Sequence, residues 1–146
     1  MRSLKMFKII DKEELAKETT KIVVEAAQIA KKAQAGQFVV VIIDEESERI
    51  PLTLADWDKT KGTITLIFQK VGFTTKRLGM LNVDDSIQHI LGPLGHPTDV
   101  KMVGTVICIG GGVGIAEVYP VSRAFKEAGN RILGIIGARS KELLIL

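Results

Sequence analysis

The chain is poor in the residue types that build several kinds of site. It has one cysteine, Cys108, in 146 residues. That excludes an internal disulfide framework and any self-contained cysteine-ligated zinc or iron–sulfur centre, and it makes a reducing, cytoplasmic location the expectation. His89 and His96 are the only histidines. Neither stands in an evident triad relation to an acidic residue and a serine, no metal-ligand spacing appears, and both are expected as surface or loop residues. Aromatics make up 5% of the chain, so a flat ligand would find few rings to stack on. The longest apolar run, Val103 to Ala116, falls short of the ~20 residues a membrane span needs and is broken by Gly104, Gly110, Gly111, Gly112 and Gly114. Met1 to Ile10 has no long apolar segment before Asp11 and Lys12, so no secretory leader is read there. The charge balance, 20 basic against 17 acidic residues, is spread along the chain and does not single out nucleic acid. An RNA-binding barrel would rest only on the pI of about 9.0, without the aromatics such a surface interleaves with its basic residues.

What is present divides into two grammars. Up to residue 103 the pattern is of short strands with turns at barrel or sandwich spacing. Strands are expected over Phe7–Ile10, Thr20–Glu25, Gln37–Asp44, Pro51–Ala55, Gly62–Lys70 and Asp85–Leu91. A charged turn is expected at Asp11–Glu14, a single helical turn inside a long loop at Ala26–Ala35, and one to two helical turns at Thr74–Met80. Trp57 reads as part of a polar turn, half-buried beside the barrel or lying over a ligand. From Thr105 the pattern becomes an apolar strand to Ile109, a glycine cluster, helical spacing over Ile115–Ala128 closed by Gly129, and a second apolar strand, Arg131–Gly137. This is a βαβ unit of a parallel sheet, with Cys108 in its core and a further helix expected from Ser140. The division falls at 1–102 and 103–146. Two parallel strands cannot bury both their faces, so missing chain or a partner is expected on the cut edge, which is also where self-association would occur.

The glycine cluster Gly110, Gly111, Gly112 and Gly114 lies where a strand meets a helix. There free amides attract anions and glycine lets a phosphate approach the backbone. The strict G-x-G-x-x-G spacing fails and no acidic ribose anchor follows, Arg139 standing beyond the second strand; the plain alternative is a tight packing turn. Three further segments offer anion or ligand contacts: Val71-Gly72-Phe73-Thr74-Thr75, where Thr75 caps a helix; Arg49-Ile50-Pro51-Leu52-Thr53, a cation and a hydroxyl on an extended segment; and the rigid turn Gly92-Pro93-Leu94-Gly95.

Six segments taken in order, AGQFVVV (35–41), RIPLTLAD (49–56), FQKVGFTTKRL (68–78), ILGPLG (90–95), GGGVGIAEVYP (110–120) and GARSKELL (137–144), resemble the ferredoxin–NADP+ reductase superfamily, in particular its electron-transfer subunits. The resemblance implies an FAD-binding Greek-key β-barrel followed by a truncated α/β nucleotide-binding domain. It implies that Arg49, Pro51, Leu52 and Thr53 lie along the flavin, with Thr53 at the reactive N5, and that Ile67 and Gln69 belong to the same site. Gly72, Thr74 and Thr75 would hold the pyrophosphate, and Gly92, Pro93 and Gly95 would close the flavin side. Gly110, Gly111, Gly112, Gly114 and Arg139 would meet the pyridine nucleotide, NADH or NADPH. Arg49 sits one position early for the superfamily pattern, and Glu117 stands where many members carry proline. The implied function is electron transfer between a pyridine nucleotide and an iron–sulfur partner through FAD. The implied partners are a larger oxidoreductase subunit carrying iron–sulfur clusters or flavin, and ferredoxin. Full-length relatives are expected to hold a two-iron two-sulfur cluster whose cysteines are absent here. The alternative is a non-catalytic scaffold that no longer holds flavin.

Overall fold

A computed structural model describes residues 6–146; the leader reading over Met1–Ile10 lies partly outside them. Apolar residues alternating at the strand period build one antiparallel sheet. Its strands are β1 (Phe7–Ala16), β2 (Thr19–Glu25), β3 (Phe38–Ile42), β4 (Ile50–Asp58), β5 (Thr63–Gln69), β6 (Ser86–Ile87) and β7 (His89–Leu94). The order across the sheet is β6-β1-β2-β5-β4-β3-β7. β3, β4 and β5 follow one another as neighbours while β2 returns beside β5, which is a Greek key. β6 and β7 sit at opposite ends of this order, yet only Gln88 separates them in the chain, so the covalent link draws the sheet into a nearly closed barrel. Ile9, Ile22, Val24, Val39, Val41, Leu54, Ile64 and Leu66 fill it with no exposure at all. Helix α1 (Ala27–Lys32) adds Ile29 and Ala30 to the same core, and α2 (Phe73–Met80) adds Leu78.

The second unit is parallel. β8 (Thr105–Gly111) leads through a tight turn at Gly112–Gly114 into α3 (Ile115–Glu127), and β9 (Arg131–Gly137) pairs with β8 from Thr105 opposite Arg131 to Gly111 opposite Gly137. Gly129, at φ +97°, reverses the chain after α3, a conformation that costs glycine nothing sterically. Asn130 then secures the linker. Its buried side chain accepts from the amides of Val103 (2.7 Å) and Gly104 (2.9 Å) and donates to the carbonyls of Lys101 and Phe125, both at 2.9 Å. Cys108 is buried as expected. Asp56 and Trp57 of β4 meet Arg123 of α3 at the joint between the units, where a small cluster of Ala55, Ile67, Ile115, Ala116 and Ile145 is also buried.

Several local expectations are corrected. Asp11–Glu14 is no turn but part of β1, because its charges are answered across the sheet: Glu13 by Lys21, Glu14 by Lys70 and the Thr20 hydroxyl. Lys12 donates to the carbonyls of Gly79 (2.6 Å) and Leu81 (2.7 Å), closing the end of α2. The turn comes later, where Glu18 adopts φ +62°. Trp57 lies in β4, which runs well past Ala55. Asp85–Leu91 divides into β6 and β7, which places His89 in a strand; His96 is exposed beyond it. Ser140 starts no full helix. A single tight turn, Lys141–Leu143, precedes an extended tail whose Ile145 is 3% exposed, so the apolar end is in part tucked in.

Lys70 holds the Glu14 carboxyl below its ordinary range, with Thr20 assisting against the cost of burial. A depressed carboxylate pKa contributes stability that is present above about pH 4.5 and lost as pH falls through the lower folded value. Glu14→Gln is therefore expected to lower the melting temperature at neutral pH and to converge on the wild type once the pH has fallen below the lowered folded value. Thermal melts across that range check it; a constant difference at all pH values would contradict it.

Candidate functional site

β4 has two partners in turn. Residues 50–53 pair with β3, and Leu54 to Asp58 pair with β5, with an irregularity between Leu54 and Asp56. Had the Leu54–Leu66 register continued, Thr53 would face Ile67, Leu52 would face Phe68 and Pro51 would face Gln69. Instead the strands part. Pro51 lacks the N–H that a further rung needs, and its stretch is paired on the β3 side only.

The residues beyond the fork line a slot of about 240 Å³: Pro51, Leu52 and Thr53 from β4, and Ile67, Phe68 and Gln69 from β5. Val71 and Thr75 join the lining from the start of α2, and Val113, Ala116 and Glu117 join it from the second unit. The slot is largely aliphatic, with Phe68 as its one aromatic ring. A second cavity of about 630 Å³ shares the walls Gln69, Val71 and Val113 with the slot, so the two adjoin. Its other walls include Gly111, Gly112, Gly137, Arg139, and Glu18 and Thr19 from the β1–β2 turn.

α2 begins beside the slot, with Thr75 in its lining. The Thr75 hydroxyl accepts from the amides of Val71 (3.1 Å) and Gly72 (3.0 Å). The first intrahelical bond runs from the amide of Lys76 to Gly72 at 3.0 Å. The amides of Phe73, Thr74 and Thr75 thus precede the helical ladder, as the opening amides of any helix do. Thr74 Oγ1 is buried with no partner among the described residues, although buried hydroxyls are almost always satisfied. An orphan hydroxyl beside free amides at the positive end of a helix has the donor set an anionic ligand requires.

The expected residues thus fall into three groups. Pro51, Leu52, Thr53, Ile67, Gln69 and Thr75 are together at the slot, with Gly72 and Thr74 at the helix start beside it. Gly111, Gly112 and Arg139 are together at the adjoining cavity. Arg49 stands exposed before β4 and lines neither. Gly92, after which the bond to Pro93 is cis, lines a separate cavity beside α1. Gly95 packs by Phe38 and accepts from the Gln37 side chain at 3.0 Å; neither Pro93 nor Gly95 reaches the slot.

The glycines between β8 and α3 differ in purpose. A Cβ on Gly110 would stand 3.0 Å from the backbone of Ile115, so that glycine lets strand and helix touch. A Cβ on Gly111, Gly112 or Gly114 would meet nothing within 4 Å. Of these three, only Gly112 has a positive φ, +56°. Packing accounts for Gly110; open space for an approaching ligand accounts best for Gly111.

Phe68, Ala116 and Glu117 of the slot, and Glu18 and Thr19 of the cavity, were not among the expected residues; Val71 and Val113 lie within the two segments expected to meet anions. The unexpected ones come from the fork, the helix wall and a turn distant in sequence. Among the described residues no group of three or more His, Cys, Asp and Glu could hold a metal ion, and no helix is long and apolar enough to cross a membrane.

No protein-family model matches the chain. It is 41% identical over 138 residues to a dihydroorotate dehydrogenase B (NAD(+)) electron transfer subunit homolog of Thermotoga maritima, covering 94% of this chain and 49% of that protein. It is 31% identical over 139 residues to the dihydroorotate dehydrogenase B (NAD(+)) electron transfer subunit of Shouchella clausii, covering 91% and 53%. A solved NADH-dependent reduced ferredoxin–NADP oxidoreductase, described in connection with flavin-based electron bifurcation, matches all of this chain and 53% of that one, at 39% identity and a TM-score of 0.94. The chain belongs to the ferredoxin–NADP+ reductase superfamily. It spans about half the length of the curated relatives it matches. The Greek-key barrel and the βαβ unit after it are the superfamily architecture, here with two parallel strands in the second unit.

The two kinds of glycine separate in a test. Gly110→Ala is expected to cost about 1–3 kcal/mol by overpacking, while Gly111→Ala stays within about 0.5 kcal/mol of wild type and weakens binding of a pyridine nucleotide. Chemical denaturation and calorimetric titration read the two effects; undiminished nucleotide binding by Gly111→Ala would assign that glycine to structure.

Proposed function

We propose that this chain is the flavin-carrying portion of an electron-transfer subunit, passing electrons between a pyridine nucleotide and an iron–sulfur partner through FAD. The observation that carries the reading is the slot opened where β4 parts from β5, lined in part by Thr75 of α2, with the orphan Thr74 hydroxyl on the same helix start. An aliphatic slot beside an anion-binding helix start suits a ligand with a flat apolar ring at one end and phosphates at the other. Resemblance to electron-transfer subunits at 31–41% identity supports it.

In this reading Leu52, Ile67 and Val113 enclose the ring and exclude water, and the Thr53 hydroxyl holds its reactive edge. The amides of Phe73, Thr74 and Thr75, with the Thr74 hydroxyl, take the pyrophosphate. Gly111, Gly112 and Arg139 receive the nucleotide in the adjoining cavity. FAD, when bound, supplies the two-electron acceptance from a nicotinamide and the one-electron release that no side chain provides. The chain's own work is orientation, and no acid–base residue is required. One cysteine cannot ligate a two-iron two-sulfur cluster, so the electrons leave to a centre on another segment or subunit: a larger oxidoreductase subunit carrying iron–sulfur clusters or flavin, or ferredoxin. We assign 1–102 to an FAD-binding domain and 103–146 to a pyridine-nucleotide domain.

A second reading, a scaffold that no longer holds flavin, is favoured by one observation. The β8–β9 face turned away from α3 leaves Ile107 60%, Ile109 68%, Leu133 42% and Ile135 56% exposed, an apolar face of a kind that marks an interaction site.

Absorbance of the purified chain after addition of FAD and gel filtration separates the two. A retained flavin spectrum is expected, with Thr74→Val weakening FAD binding by about tenfold, the equivalent of one hydrogen bond to a charged group at ~1.5 kcal/mol. A colourless protein that ignores added FAD would favour the scaffold.

A further inference from the structure

The two sheets share no strand pairing; they are joined by a linker and by α3 lying along β4. These elements meet twice. At one end Val113, Ala116 and Glu117 share the slot wall with Leu52 and Thr53. At the other, Arg123 reaches β4. From Ala116 to Arg123 is ~10 Å of helix at 1.5 Å per residue, and from Thr53 to Asp56 is ~10 Å of strand, so the two contacts are spaced to match.

The second contact is specific. Arg123 Nη1 donates to Asp56 Oδ1 at 2.6 Å, and the same oxygen accepts from the Trp57 amide at 2.8 Å, which fixes the carboxylate. The guanidinium lies 5.4 Å from the Trp57 ring centre and 5.6 Å from that of Tyr119, one turn back on its own helix. A planar, weakly hydrated cation can stack and hydrogen-bond at once. Burial works against the charge on Arg123, and the Asp56 carboxylate more than offsets it, holding its pKa above the usual value. A half-exposed ion pair by itself contributes little to stability. Here, however, the apolar part of the joint is small, with two alanines among its five buried residues, and alanines resist sliding weakly. The directional contact is what sets the register.

We propose that Arg123 is a positioning residue: held by Asp56 and Trp57, it fixes α3 along β4 and so keeps the helix wall and the glycine loop aligned with the slot. The functional consequence rests on the flavin reading above; the clamp itself does not.

Trp57 is the only tryptophan, so its emission reports the clamp without a label. The test compares wild type, Arg123→Ala, Asp56→Asn and the double variant, with and without FAD. The single variants are expected to shift Trp57 emission and to raise amide hydrogen exchange over 115–127 while the barrel strands keep wild-type protection. With FAD bound they are expected to alter the flavin's visible circular dichroism, while FAD affinity stays within about twofold, as for a substitution outside the slot. The double variant should go no further than Arg123→Ala alone, because one interaction is removed. Unchanged exchange over 115–127 or additive effects in the double variant would overturn the clamp, and unchanged flavin dichroism with FAD bound would overturn its role in aligning the slot. If the wild type takes up no FAD, the flavin reading fails separately; Trp57 emission, exchange and additivity then still decide for or against the clamp.

Discussion

The parting of β4 from β5 is the constraint on which the rest of the site depends. A fully zipped ladder would fill the space between these strands with hydrogen bonds and leave no slot. The ladder runs from Asp58 through the irregularity at Ala55 to Leu54 and goes no further, because Pro51 lacks the N–H of a further rung. β4 then serves two partners, holding the barrel closed on the β3 side while its edge toward β5 stays free. Thr53 sits at the first position past the fork, with a strand fixed on one side and a cavity on the other. A hydroxyl so placed is rigid without being used up by the sheet.

The anion end follows from a second local economy. Thr75 satisfies the amides of Val71 and Gly72 with its own hydroxyl, so α2 starts stably with no ligand. The next three amides and the Thr74 hydroxyl are left over. The Glu14–Lys70 pair and the Lys12 contacts to the far end of α2 tie this helix to the β1–β2 hairpin. The donor set therefore stands on a braced element rather than a loose loop, which is what preorganised binding requires. The second unit completes the slot from outside the barrel, and its placement depends on a small joint.

Most strands and α3 were legible because their apolar residues keep one period and glycine closes them. Asp11–Glu14 and the Trp57 region were misread for one reason: charged residues look like turns when their partners are far away in sequence, as Lys70 is from Glu14 and Arg123 from Asp56. The real turn after Trp57 lies two residues on, where the Asp58 carboxylate accepts from the amides of Thr60 (2.9 Å) and Lys61 (2.8 Å). At the site, the hydroxyl and glycine positions were readable as motifs. The fork was not, since a bulge at an alanine leaves no mark in composition. Nor were the walls from Glu18, Thr19 and Ala116, which reach the cavities only through the fold. Gly110 and Gly111 read alike in the sequence, and only the distance to Ile115 separates packing from binding.

The most direct measurement of the central claim is amide chemical-shift mapping of the isotopically labelled chain as FAD is added. The largest shifts are expected at the amides of Phe73, Thr74 and Thr75 and along Leu52–Thr53 and Ile67–Gln69 on the two sides of the fork, with little change at His96 or in the β1 core. Saturating shifts elsewhere, with the two sides of the fork silent, would contradict it.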